Sequence, residues 1–143
     1  MRLDHIGLVV ENIRKFTELL RTIGFREITE AVPFDTLNVT ASFVNARDDT
    51  DVCIEVLEPT AENSPIWNFL KKKGGGLHHL CFEVDDIEKT SQELVNKGFQ
   101  MVTPPVDCRA YDTNLQRECK DASRIAFFLV SIKLLIELIE KGR

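Results

Sequence analysis

The stretch that decides the fold of this chain is residues 3–10, with the sequence LDHIGLVV, because it recurs as residues 77–84, LHHLCFEV. The register then holds without a gap through the segment that follows, so that Ile13 matches Ile87. Similarity kept at a fixed offset over this length indicates that one structural module occurs twice in the chain.

A second pair of motifs closes each copy, since residues 54–58, IEVLE, match residues 136–140, IELIE. The first motifs lie 74 positions apart and the second lie 82 apart, so the second copy carries about eight extra residues before its last strand. The predicted modules are residues 1–73 and 74–143, which together make one domain.

Each copy predicts a strand, then a helix, then further strands. The two helices are expected to begin at Asn12 and at Asp85 or Asp86, which are favourable N-caps, and to end at Gly24 and Gly98. The first helix has apolar residues spaced for a single buried stripe. These are Ile13, Phe16, Leu19, Leu20 and Ile23.

A third, short helix is predicted from Ser64-Pro65 to the glycines at 74–76, with the lysines at 71–73 as a solvated helix end. The pattern of the remaining segments predicts strands and so an α+β fold class. These strands are residues 27–32, 39–45, 52–57, 100–103, 124–130 and 134–139, with a turn at 131–133 between the last two.

The composition is that of a globular protein, with 43% apolar and 29% charged residues in a chain of 143. A net charge of −5 argues against a nucleic-acid-binding face. From the sequence we expect neither a membrane span nor a basic-then-apolar leader segment. The four cysteines form no C-x-x-C pair, and although Cys108 and Cys119 could bond to each other, free thiols in the cytoplasm are the expectation.

Four metal-ligand residue types occupy matching positions of the repeat. His5 and His79 are equivalent in the first motifs, and Glu55 and Glu137 are equivalent in the second. Because side chains alternate along a strand, each glutamate faces away from its apolar neighbours, on the side of its own module's histidine. Two imidazoles and two carboxylates suit one divalent ion, such as Co²⁺, Zn²⁺, Ni²⁺, Mn²⁺ or Fe²⁺, with positions left for water or substrate.

Any one of these residues, taken alone, would most simply be a surface residue facing solvent. The repetition of both types is what favours a metal site. His78 competes with His79 as a ligand, but it aligns with Asp4 and is expected to point to the opposite face of its strand.

At these residues the chain resembles the vicinal oxygen chelate (glyoxalase/bleomycin resistance/dioxygenase) superfamily, and within it the methylmalonyl-CoA epimerases. The resemblance is carried by residues 3–7, LDHIG; 54–59, IEVLEP; 76–80, GLHHL; and 135–138, LIEL. It implies two paired βαβββ modules that form a curved mixed sheet around one metal site, and a homodimer. The implied metal ligands are His5, Glu55, His79 and Glu137.

The chain departs from the epimerases in segments that flank the substrate mouth of that family. Residues 106–123 are polar where epimerases usually carry a loop with glycine and histidine, and residues 130–133 shorten a His-Pro-Lys turn. The strand at residues 39–43, VTASF, carries no acid where some epimerases have a partner base.

The function that this resemblance implies is epimerisation of a small-molecule carbonyl substrate, such as the 2-substituted acyl-CoA methylmalonyl-CoA. Glu137 or Glu55 would remove the α-proton, and the metal would stabilise the resulting enediolate. A glyoxalase I-like lactoylglutathione lyase, which acts on a hemithioacetal, would use the same ligands and the same kind of intermediate. An Fe²⁺ dioxygenase fits less well, because it normally uses two histidines and one carboxylate. The alternative outside enzymes is an antibiotic-binding protein of the same fold, which need not keep a complete ligand set.

Overall fold

The computed structural model of the protein describes residues 1–34, 37–45, 52–131 and 134–143. Its elements are β1 (Arg2–Val9), α1 (Ile13–Thr22), β2 (Val32–Phe34), β3 (Val39–Val44), β4 (Cys53–Pro59), α2 (Trp67–Lys73), β5 (Gly76–Glu83), α3 (Ile87–Asn96), β6 (Gln100–Asp107), α4 (Arg109–Asn114), β7 (Arg124–Ser131) and β8 (Leu134–Glu140). The first copy has the order βαβββ, as expected, and the second copy has this order with α4 inserted between β6 and β7. Among the described residues, no helix has the length and the apolar character needed to cross a membrane.

The chain divides into two compact units, which we call the first unit (residues 6–78) and the second unit (residues 1–5 with 79–143). In the first unit the strand order is β2-β3-β4-β1, and β2, β3 and β4 pair antiparallel. Helix α1 covers one face of these strands, with Ile13 and Leu20 packed against Val44 and Val56. This burial of an apolar helix stripe supplies the core of the unit.

In the second unit the order is β1-β5-β8-β7-β6. Strands β5 and β8 run parallel, whereas β8, β7 and β6 are antiparallel neighbours, so the strands are mixed. Ile87 of α3 packs with Ala126, Phe128 and Leu138 in a buried cluster. The α+β fold class with mixed strand pairing is thus confirmed.

The predicted starts of α1 and α3 are correct, and the structure decides between the two aspartates. Asn12 Oδ1 accepts a hydrogen bond from the amide of Lys15 at 3.0 Å, and Asp86 Oδ1 accepts one from Lys89 at 2.9 Å. The predicted stripe of α1 was too wide, however, because Leu19 is 53% exposed and Ile23 is 66% exposed. The buried face of α1 instead includes Thr17 between Ile13 and Leu20.

Helix α2 begins later than predicted. Ser64 and Pro65 form a turn, in which the carbonyl of Ser64 accepts the amide of Trp67 at 3.1 Å, and the helix runs only from Trp67. It ends as predicted, at Gly74 with a left-handed φ of 73°. The lysines at 71–73 are exposed, which confirms a solvated helix end.

Two strand predictions need correction. The predicted strand 27–32 is wrong, since the described structure there has an isolated bridge between Ile28 and Val44, and β2 starts only at Val32. Strand β6 continues to Asp107 through two prolines, which is possible because it is an edge strand with irregular register. Helix α4 was missed altogether. The predicted turn at 131–133 falls largely on residues 132–133, outside the described residues.

The outer glutamate of each closing motif has a structural role that the sequence did not reveal. Glu58 Oε2 accepts the amide of Ile13 at 3.1 Å, and Glu140 Oε2 accepts the amide of Ile87 at 2.7 Å. A carboxylate at a helix N-terminus satisfies a free amide and interacts favourably with the helix dipole. Each closing strand therefore holds the first turn of its own module's helix.

Candidate metal centre

Strand β8 places Glu137 between two neighbouring strands of the second unit. Glu137 lies in register with Cys81 of β5 on one side and with Phe127 of β7 on the other. His79 precedes Cys81 by two residues, so both side chains lie on one face of β5. The ring of His79 packs edge-on against Phe127, with centroids 5.8 Å apart.

His5 joins His79 and Glu137 on this face, and three polar atoms converge there. His5 Nε2 lies 3.1 Å from His79 Nε2 and 3.2 Å from Glu137 Oε2, while His79 Nε2 lies 3.0 Å from Glu137 Oε2. The three residues are 1%, 2% and 5% exposed, respectively. Three predicted ligands, from three different strands, are thus brought together in one buried cluster.

The geometry of this cluster fits a metal ion. Nitrogen and carboxylate ligands lie about 2.1 Å from ions such as Zn²⁺, so two ligands of one ion are roughly 3 Å apart when they subtend an angle near 90°. The three distances between His5, His79 and Glu137 are of this size. Imidazole nitrogen with carboxylate oxygen is also the donor set that such borderline divalent ions prefer.

The charge state of Glu137 also suits a ligand. Burial alone would raise the pKa of this carboxyl group. The charges and hydrogen bonds of His5 and His79 outweigh burial and lower the pKa to about 2. Glu137 is therefore ionised at neutral pH, as a metal-binding carboxylate must be.

Asp4 lies behind His5. Its Oδ2 is 2.8 Å from His5 Nδ1, and its carboxylate also receives Lys141 Nζ at 3.1 Å. Burial would raise the pKa of Asp4, but the hydrogen bond and charge of His5, together with Lys141, hold this pKa well below its usual range.

Tyr111, from α4, completes the surroundings of Asp4. Its hydroxyl donates to the carboxylate of Asp4 at 3.1 and 3.2 Å, and its ring is stacked on that of His5 with centroids 6.3 Å apart. Burial and the charge of Asp4 raise the pKa of Tyr111 far above its usual value, so the hydroxyl keeps its proton and remains a donor.

Glu55, the fourth predicted ligand, belongs to the first unit. It is on β4, is 6% exposed, and lies in register with Phe43 of β3. An acidic side chain buried in a central strand requires a polar partner or a metal. Its place among the ligands remains a prediction from the repeat.

The cysteines are free thiols in the structure, as expected. Cys81 lies beside the site but is completely buried, and burial together with the charge of Glu137 raises the pKa of this thiol well above its ordinary value. A thiol that keeps its proton is a poor nucleophile and a poor metal ligand. Cys81 is thus part of the packing around the site.

Sequence reasoning missed Asp4, Tyr111 and Lys141. The sequence could have indicated a role for Asp4, because a charged residue inside an apolar strand and next to a proposed ligand requires a buried partner. Tyr111 is the only tyrosine of the chain, but it lies in the polar segment 106–123. No spacing rule relates it to Asp4, which is 107 residues away.

Comparison with known proteins assigns the chain to a family. Residues 4–115 match the model of the Glyoxalase/Bleomycin resistance protein/Dioxygenase superfamily, a match that includes His5, Glu55 and His79 and ends before Glu137. The chain is 33% identical over 111 residues to mitochondrial methylmalonyl-CoA epimerase of Homo sapiens, covering 77% of this chain. It spans 61% of the length of that relative and of the Dictyostelium discoideum enzyme of the same name. It is also 30% identical over 102 residues to the ethylmalonyl-CoA/methylmalonyl-CoA epimerase of Cereibacter sphaeroides, covering 71% of this chain and 74% of that relative.

Solved structures agree with this relationship. A variant of Streptomyces coelicolor methylmalonyl-CoA epimerase in complex with 2-nitronate-propionyl-CoA superposes with a TM-score of 0.81 at 25% identity, covering 100% of this chain and 99% of that one. A methylmalonyl-CoA epimerase in complex with methylmalonyl-CoA and NH₄⁺ gives a TM-score of 0.80 at 26% identity, covering 98% and 94%. With a family model matched over most of its length, the chain belongs to the glyoxalase/bleomycin resistance protein/dioxygenase superfamily.

Proposed function

We propose that this protein is a metal-dependent epimerase that acts on a 2-substituted acyl-CoA such as methylmalonyl-CoA. The observation that carries the proposal is the convergence of His5 Nε2, His79 Nε2 and Glu137 Oε2 within 3.0–3.2 Å of one another in a buried cluster. The substrate class is supported by the epimerases among its relatives and by the two acyl-CoA complexes that share its fold.

In this proposal His5, His79 and Glu137 hold the ion, and Glu55 is the fourth ligand by its position in the repeat. A bound divalent ion would polarise the thioester carbonyl and stabilise the negative charge that develops on its oxygen when the α-proton leaves. The protein supplies the surroundings of the ion, where the fully buried Cys81 and the half-buried Phe127 exclude water and so strengthen electrostatic interactions at the site.

Epimerisation also needs a group that takes the α-proton from carbon. Glu137 and Glu55 are the two candidates that we propose. A general base works best when its pKa lies near the working pH, and the imidazoles hold the pKa of Glu137 at about 2. This low pKa favours Glu137 as a ligand, so Glu55 is the candidate base that we test.

The test is exchange of the α-proton of methylmalonyl-CoA in D₂O, followed by NMR with protein loaded with Co²⁺. Wild type is expected to exchange the proton, and His79→Ala to lose exchange together with the metal. Glu55→Gln should lower the exchange rate by about 10²–10⁴-fold, the usual contribution of a general base. Glu62→Gln, on an exposed residue of the first unit, is the matched control and should leave the rate unchanged.

The same samples distinguish the alternatives. Retained exchange in His79→Ala would exclude the proposed metal site. Absence of exchange in wild type with Co²⁺ bound, but isomerisation of a glutathione hemithioacetal, would identify a glyoxalase I-like lyase. If wild type binds neither Co²⁺ nor either substrate, the alternative of an antibiotic-binding protein of the same fold is favoured.

A further inference from the structure

We propose that Asp4 is a positioning residue of the metal site: held by Tyr111 and Lys141, it fixes the ring of His5 with Nε2 directed at the ligand cluster and so raises the affinity for a divalent cation. The inference rests on the metal site of the proposed function. It assigns a purpose to the inserted segment 106–123, from which Tyr111 comes.

Asp4 is held in a fixed position by its contacts. This buried carboxylate accepts from His5 Nδ1 at 2.8 Å, from Tyr111 at 3.1 Å and from Lys141 Nζ at 3.1 Å, and Arg2 lies 3.5 Å away. A buried charge is stable only where such partners satisfy it. Since these partners approach from β1, α4 and the segment after β8, Asp4 has little freedom to move.

The carboxylate of Asp4 also determines which nitrogen of the His5 ring faces the ligand cluster. An ionised carboxylate can only accept hydrogen bonds, so His5 must carry a proton on Nδ1, facing Asp4. Nε2, which faces His79 and Glu137, is then the ring nitrogen left to bind a cation. A carboxylate behind a ligating histidine fixes the ring orientation and increases the basicity of the ligating nitrogen.

Tyr111 is held in place because it belongs to α4. Asp112, the next residue, accepts the amide of Ser123 at 2.8 Å and pairs with Arg117 at 2.9 Å. Arg117 in turn donates to the carbonyl of Gly142 at 3.2 Å. These contacts tie α4 to the residue before β7 and to residue 142, so the hydroxyl of Tyr111 is held against Asp4.

The repeat supplies an internal comparison. The residue that corresponds to Asp4 is His78, whose ring packs edge-on against Phe69 of α2 with centroids 5.1 Å apart. The carboxylate at this repeat position therefore precedes His5 but not His79. We infer that the two histidines are unequal ligands and that substitutions at Asp4 and at His78 should differ in effect.

The experiment measures the dissociation constant for Co²⁺ by competition with a chelator, and the protonation of the His5 ring nitrogens by ¹H–¹⁵N NMR of the metal-free protein. Asp4→Asn is expected to weaken Co²⁺ binding by about 10–100-fold, the usual effect of removing such a partner. Tyr111→Phe, which removes one hydrogen bond to a charged group, should weaken it by about 10-fold. His78→Asn is the matched control and should bind Co²⁺ as wild type does.

The NMR signal separates positioning from a merely structural role. Wild type, Tyr111→Phe and His78→Asn should show the proton on Nδ1 of His5, whereas Asp4→Asn should lose this preference. Unchanged Co²⁺ affinity in both Asp4→Asn and Tyr111→Phe would overturn the proposal. If Asp4→Asn does not fold, the Co²⁺ affinity of Tyr111→Phe tests the proposal alone, and an unchanged affinity would overturn it. If wild type binds no Co²⁺, the proposed function fails, while a wild-type His5 ring without a proton on Nδ1 would refute the positioning role separately.

Discussion

Glutamates of the same motif have different surroundings in this protein. Glu137 is directed at two histidines on one face of β8, whereas Glu140, three residues later, accepts the first amide of α3. Side chains an odd number of residues apart in a strand point to opposite faces, so one motif can serve both the site and the packing of the helix.

Glu137→Gln and Glu140→Ala should therefore change different properties of the protein, the first its affinity for Co²⁺ and the second its stability. Glu137→Gln removes a charged ligand and is expected to weaken Co²⁺ binding by at least 10-fold. Glu140→Ala should leave Co²⁺ affinity unchanged and lower the free energy of unfolding by about 1.5 kcal/mol, the size of a hydrogen bond to a charged group. Chelator competition and urea unfolding measure the two quantities, and equal effects of both variants on Co²⁺ affinity would contradict the division of roles.

At the scale of elements, α4 is the main difference between the two copies. It accounts for most of the extra residues before the last strand of the second copy. The sequence did not predict this helix, because the polar segment that contains it has no apolar periodicity. Its structure depends on Asp112, which pairs with Arg117 and accepts bonds from both the amide and the hydroxyl of Ser123.

Asp112→Ala should consequently destabilise the protein by about 3 kcal/mol, because it removes the carboxylate that pairs with the largely buried Arg117, together with the acceptor for the amide and hydroxyl of Ser123. The exposed Asp121→Ala is the control, with an expected change within about 0.5 kcal/mol. Chemical unfolding of both variants measures these values. A cost below 1 kcal/mol for Asp112→Ala would mean that α4 is held by other contacts.

The N-caps of α1 and α3 are the second prediction at this scale. Asn12→Ala and Asp86→Ala should each lower the free energy of unfolding by about 1 kcal/mol, because each removes the hydrogen bond to the third residue of its helix. Asp85→Ala, next to the true cap, should have a smaller effect. Thermal or urea unfolding provides the measurement, and an Asp85 effect equal to that of Asp86 would contradict the cap assignment.

At the scale of the whole molecule, metal binding should be linked to folding. If His5, His79 and Glu137 bind an ion only when folded, Co²⁺ at 100 times its dissociation constant stabilises the native state by about 2.7 kcal/mol. The melting temperature is therefore expected to rise on adding Co²⁺ and to fall again with a chelator. His79→Ala should show neither change, and a shift of equal size in that variant would place the bound ion elsewhere.

The assembly remains a prediction from the family resemblance. We expect a homodimer, and sedimentation velocity of the purified protein measures it directly. A single species at the 16.3 kDa mass of one chain would contradict this expectation.

The sequence by itself determined the repeat, the βαβββ order of the first copy, the Asn12 cap of α1 and the set of predicted ligands, because periodicity and local capping depend on neighbouring residues. The repeat and the alternation of side chains along strands predicted that His5, His79 and Glu137 lie on one side, and the structure brings their polar atoms within 3.2 Å of one another. Tertiary structure alone decided that Tyr111 contacts Asp4, that α4 exists and that Leu19 and Ile23 are exposed. Contacts between residues distant in sequence depend on how strands and helices pack in three dimensions, and a single sequence has no local pattern that records them.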